Sequence, residues 1–109
     1  TSDVKQFKRL QTILRENKEL HSGTPTLGYF IAILKEIDSL NHINIPNRKI
    51  LVLLAEHEQI TDNNAAKKLI ERFDFIDLIT IKESQHEILI EKEKIRKKAL
   101  SSIHTFLKS

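Results

Sequence analysis

Residues 47–91, NRKILVLLAEHEQITDNNAAKKLIERFDFIDLITIKESQHEILIE, constrain the fold more than any other stretch of the chain. Pro46 suits a first helical position, because its ring fixes φ and its missing N–H would have no partner there. Ile50, Leu53, Leu54 and His57 then recur at i, i+3, i+4 and i+7, one face of a helix. Leu51 and Val52 widen that face, so the spacing predicts a helix over 46–58, buried on most sides. Gln59-Ile60 breaks the pattern, and Thr61 or Asp62 can accept from the free amides of the next turn. Ala65, Ala66, Leu69, Ile70 and Phe73 form the following stripe, which predicts a second helix over 62–73. After it the periodicity becomes that of a strand. Ile76 and Leu78 alternate with Asp77, a polar tip follows from Lys82 to Glu87, and the run Ile88-Leu89-Ile90 returns. Two β-branched runs around a polar tip predict a hairpin over 76–90.

The flanks read as helices. Asp3 can cap a helix over 3–20 whose stripe is Val4, Phe7, Leu10, Ile13 and Leu14. Thr24-Pro25 opens a helix over 25–41, rich in Leu27, Phe30, Ile31, Ile33, Leu34, Ile37 and Leu40 and expected at the centre of the core. A last helix over 91–107 carries Ile95, Ala99, Ile103 and Phe106, with Leu100 and Leu107 beside them. At 109 residues the chain is expected to form a single domain. It has no methionine and opens on Thr1-Ser2, which suggests a fragment of a longer protein. Surplus apolar area on the end helices predicts a homodimer through Phe7, Leu10, Leu14, Ile95, Leu100, Ile103, Phe106 and Leu107.

The order of elements from about Leu27 onward resembles the winged-helix superfamily. The segment from Leu69 to Ile81, LIERFDFIDLITI, looks like the passage from a recognition helix into a wing. With helices at both ends, the layout is similar to small dimeric regulators of the MarR and SarA kind. It is also similar to winged helices retained for dimerisation in origin-recognition and silencing proteins. It departs from the MarR pattern in having only one clear helix between the helix that begins near Asn47 and the hairpin, with Asp74 where a glycine commonly precedes the wing and no counterpart of the wing arginines. The fold expected is mainly α with a small β-hairpin, a winged helix-turn-helix flanked by N- and C-terminal helices. The resemblance implies a DNA- or chromatin-associated transcriptional regulator in the nucleoid or nucleus. Its second helix would lie in the major groove. Asn63, Asn64 and Arg72 would then read bases, with Lys67, Lys68 and Lys82 on phosphates. The alternative is a protein-interaction module that never touches DNA, since the net charge is only +3 and acidic residues offset the basic ones on that helix.

Little chemistry stands out. Without cysteine there is no disulfide or thiolate. No apolar run approaches the roughly 20 residues that span a bilayer, and no secretory pattern opens the chain. Gly23 and Gly28 are the only glycines, too few for a phosphate loop. The histidines at 21, 42, 57, 86 and 104 are too scattered for a local metal motif. His57 beside Glu58 reads as the edge of a core helix, and His86 as a polar tip residue. No serine or threonine has a visible base partner. These absences predict a non-enzyme with no cofactor, no metal, no membrane contact and no small-molecule substrate.

Overall fold

A computed structural model describes residues 1–40 and 42–109. Four helices and two strands follow in the order α1 (Val4–Glu16), α2 (Leu27–Leu40), β1 (Ile50–Ala55), α3 (Asn63–Ile70), β2 (Ile76–Ile81) and α4 (Glu93–Lys108). Single 3-10 turns lie at Lys18–Leu20 and Ile88–Ile90. The molecule is thus mainly helical with a small sheet.

The expected helix over 46–58 is instead β1, an extended run of six apolar residues. A short run that is apolar at every position satisfies helical and strand spacing equally. Ile-Leu-Val-Leu-Leu-Ala is what a parallel strand covered on both faces looks like. It pairs with β2 in parallel register, Ile50 opposite Ile76 through Ala55 opposite Ile81. The ladder is extended at both ends by Ile50 N–H on Phe75 O (3.1 Å) and Glu56 N–H on Ile81 O (3.1 Å).

The hairpin over 76–90 is likewise corrected. Only its first run is a strand. Glu83 takes a positive φ of 62° and turns the chain away from the sheet. Residues 88–90 then form a 3-10 turn rather than a paired strand, with Ile88 packed against the core and Leu89 left exposed. The stretch 47–91 is therefore strand, helix, strand and turn, where helix, helix and hairpin were expected. With no antiparallel wing among the described residues, the two parallel strands are joined through α3.

The flanking helices start where their caps dictate. Asp3 accepts from the N–H groups of Lys5 (2.9 Å) and Gln6 (3.1 Å) at the head of α1. That helix stops at Glu16, short of the expected 20, where the Asn17 side chain donates to Ile13 O at 2.8 Å. At α2, Thr26 rather than Thr24 caps, its Oγ1 accepting from Tyr29 N–H (3.1 Å). The expected end of this helix at 41 lies outside the described residues.

The core sits between α4 and the sheet. Ile81, Ile95 and Ala99 are buried together, with Leu53 and Ile88 packed against them. Ala99 is 0% exposed, so its methyl sets how closely α4 approaches the strands. Enlarging it overpacks that contact. Ala99→Leu is expected to destabilise the chain by about 1–3 kcal/mol, read as a lower urea midpoint.

The helix expected at the centre is not there. Leu27, Tyr29, Phe30, Ile31, Leu34 and Ile37 of α2 are all exposed, as is the α1 stripe. The radius of gyration is 16.7 Å, against about 13 Å for a compact domain of this length. More apolar surface is presented than the chain itself can cover.

Candidate active site

Parallel strands in direct register finish side by side, and whatever follows them meets. In open α/β sheets this carboxyl end is where ligands and reactive groups gather. Here two loops begin there, 56–62 after β1 and 82–92 after β2.

The loops are fastened to each other. His57 N–H donates to Ser84 O at 2.9 Å. Glu83 N–H donates to Glu56 Oε2 at 2.8 Å, which holds the left-handed residue in place. Ser84, fully buried, donates its hydroxyl back to Ile81 O at 2.7 Å. These contacts fix the separation of the two loops just before Glu58 and His86.

Glu58 and His86 face each other across that gap. Glu58 Oε2 lies 2.7 Å from His86 Nδ1, although the residues are 28 positions apart. The other oxygen, Oε1, accepts from Ile60 N–H (2.7 Å) and Thr61 N–H (3.2 Å). The Glu58 side chain is 6% exposed and that of His86 is 39%. An ionised carboxylate only accepts, so Nδ1 carries the proton. In the neutral ring Nε2 is then a free lone pair, and it makes no hydrogen bond among the described residues. His86 borders a shallow cavity of about 160 Å³ lined also by Thr1, His57, Gln59, Ile60, Gln85 and Glu87. The histidine is bonded to an acid at one nitrogen, without a partner among the described residues at the other, and held in one tautomer, which is the arrangement of a general base.

The Ile60 N–H is the largest influence on the Glu58 carboxyl. Together with His86 and the Thr61 N–H it outweighs burial and pushes the pKa down to about 2 from 4.5. The folded chain thus holds the ionised form more tightly than the unfolded one. This contribution to stability is complete above pH 4.5 and disappears as the pH falls through about 2. Glu58 Cδ is expected to titrate near the lower value in a carbon NMR series. A midpoint above 4 would contradict the hydrogen-bonding described.

The residues singled out from sequence lie elsewhere. Asn63 is half-buried and donates Nδ2–H to Ala55 O at 2.7 Å, so it ties the end of β1 to the head of α3. Asn64 is exposed, its N–H held by Asp62 Oδ1 at 2.8 Å. Lys68 and Arg72 border a shallow exposed depression on α3, and the Arg72 guanidinium sits 5.4 Å from the Phe73 ring centroid. Lys67 is half-buried and Lys82 exposed. None of them touches the Glu58–His86 pair.

Of the expected dimer stripe, Ile95 is in the core and Ile103 and Phe106 are half-buried on the inner face of α4. Phe7, Leu10, Leu14, Leu100 and Leu107 are exposed. A cleft of about 500 Å³ between α4 and Leu51, Asp77, Leu78 and Ile79 contains no member of the pair. Among the described residues no three His, Cys, Asp or Glu side chains converge on a metal position, and no helix is long and apolar enough to cross a membrane.

No family model matches the chain, and no solved structure matches it. A curated protein of Haemophilus influenzae, named a probable lysophospholipase L2, is 34% identical over 104 residues. The match takes in 94% of this chain but 33% of the relative, so the chain spans about a third of the length of the curated relative it matches. That relative is named as an enzyme. The finding overturns the expectation of a non-enzymatic DNA- or chromatin-binding regulator, which rested on element order and on the lack of a local motif.

Proposed function

We propose that this chain carries the general base and its orienting acid for a serine-type esterase that cleaves the acyl ester of lysophospholipids. The observation that carries the reading is the 2.7 Å contact of His86 Nδ1 with Glu58, at the carboxyl ends of two parallel strands. Three further points support it. The acid precedes the histidine in the chain, as in the α/β-hydrolase order of nucleophile, acid, histidine. A β1 that is apolar at every position calls for cover on both faces and for further parallel strands, and so for a larger α/β sheet. The curated relative bears a lysophospholipase name over a protein three times as long.

The nucleophile is not among the described residues. Ser84 donates to Ile81 O and Ser2 to Glu91, and no hydroxyl lies within hydrogen-bond reach of His86 Nε2. In the proposed order it precedes both partners, in the part of the enzyme beyond these 109 residues. His86 Nε2 takes the proton from that serine as its oxygen attacks the acyl carbonyl. Glu58 steadies the imidazolium that forms. The proton then passes to the glycerol oxygen as the ester C–O bond breaks, leaving an acyl-enzyme. Water repeats the sequence and releases the fatty acid.

The test is chemical. The intact protein is expected to release fatty acid from lysophosphatidylcholine. A fluorophosphonate probe is expected to label one serine outside residues 1–109, located by peptide mass spectrometry. Turnover without any serine label would remove the serine mechanism.

A further inference from the structure

Glu91 is fully buried, yet the reaction proposed above does not use it. It stands five residues beyond His86, at the joint between the histidine loop and α4. Its carboxylate gathers donors from three segments. Ser2 N–H reaches Oε1 at 2.9 Å and Oε2 at 3.0 Å, and Ser2 Oγ reaches Oε2 at 2.5 Å. Gln85 N–H reaches Oε1 at 3.2 Å and Lys92 N–H reaches Oε2 at 3.4 Å. Nearby, the Thr1 hydroxyl donates to Ile90 O at 2.7 Å.

Every partner of this carboxylate is a donor, which an ionised side chain satisfies and an amide cannot. Burial acts to raise the Glu91 pKa, but the donors from Ser2, Gln85 and Lys92 outweigh it and hold the carboxyl below its ordinary range. The Gln85 N–H belongs to the residue immediately before His86. Fixing it limits how far the imidazole can swing from Glu58. The same anchor seats Thr1, which lines the cavity beside the imidazole.

We infer that Glu91 is a positioning residue for the base. Its buried carboxylate clamps the Gln85–His86 peptide in the orientation that meets Glu58, and docks residues 1–2 at the rim of the same cavity. The inference rests on the reading of His86 as the base.

Glu91→Gln in the intact protein tests it. The amide would turn an N–H toward a donor and loosen the peptide. The expected result is a fall in kcat of about 10- to 100-fold with KM almost unchanged, because the base is displaced while substrate contacts remain. The downfield Nδ1 proton of His86 in the NMR spectrum is expected to broaden or vanish. Glu91→Asp, which keeps the charge, is expected to recover part of kcat and the resonance.

An E91Q variant with wild-type kcat and an intact resonance overturns the inference. Should E91Q fail to fold, Ser2→Ala removes one donor alone. It is expected to lower kcat several-fold while the chain stays folded at a somewhat lower urea midpoint, and an unchanged kcat again overturns the proposal. His86→Ala with full activity would sink the hydrolase reading instead, and the resonance would still decide the role of Glu91.

Discussion

Under the proposed reaction, replacing His86 by alanine is expected to lower kcat for lysophospholipid hydrolysis by about 10⁶-fold in the intact protein, the size found when the histidine of a serine-type triad is removed. The size of the effect follows from its position. Nδ1 is committed to Glu58, and of the cavity's titratable side chains among the described residues, His57, His86 and Glu87, only His86 is held in a single tautomer by an acid from the other loop. The loss is an activity lesion rather than a folding one. The His86 side chain is 39% exposed and lies outside the core of Ile81, Ile95 and Ala99. Glu58 keeps its bonds from Ile60 and Thr61 N–H when the imidazole goes. The unfolding free energy read from the urea midpoint should therefore fall by only about 1 kcal/mol, the loss of one hydrogen bond from a carboxylate that keeps two others. Fatty-acid release and urea unfolding measured on the same preparation separate the two effects. Activity within tenfold of wild type would remove His86 from the reaction.

The caps of α1 and α3 were legible in the sequence because capping is local, whereas that of α2 falls on Thr26, two residues beyond the expected Thr24. Asp3 and Asp62 each accept two backbone N–H groups at the head of a helix, as their residue type predicts. The helical stripe of α4 was legible too, since Ile95 and Ala99 repeat at helical spacing and are buried, but Ile95, expected at a dimer contact, packs in the chain's own core. What misled was the run ILVLLA. Six apolar residues carry no period, and the neighbouring Pro46 and His57 completed a helical pattern by chance. Once β1 is taken as a helix, β2 has no parallel partner and the nearest candidate is Ile88–Ile90, which produces a hairpin.

That one error also hid the site. Glu58 became the frayed end of a helix and His86 the tip of a wing, with no reason for them to meet. Their contact depends on strand register, a non-local property, and not on any spacing within 56–62 or 82–92. A signal was nonetheless available. An acid and a histidine each fall a few residues after a β-branched or apolar run, at the positions where parallel strands end. The expectation that α2 fills the core failed for a different reason. Its composition requires burial, but the surface that would bury it is not supplied by the described residues.

Glu58→Gln provides the second large effect, and it isolates the tautomer. The Gln side chain has nearly the same shape, and its oxygen can still accept from Ile60 N–H. The amide nitrogen then faces His86 Nδ1 at the former 2.7 Å contact and donates to it. This forces the ring proton onto Nε2, the atom that must accept from the nucleophile. A histidine in the wrong tautomer is in place but cannot act as a base, and kcat is expected to fall about 10⁴-fold with KM nearly constant. The same variant removes the group whose pKa lies near 2. The part of acid destabilisation that wild type shows between pH 4.5 and about 2 should therefore shrink in E58Q. Both readouts come from one substitution and have separate causes. Lost activity with an unchanged acid limb would place the low pKa on another carboxyl. A flattened limb with full activity would make the Glu58–His86 pair a structural clasp between two loops instead of a catalytic one.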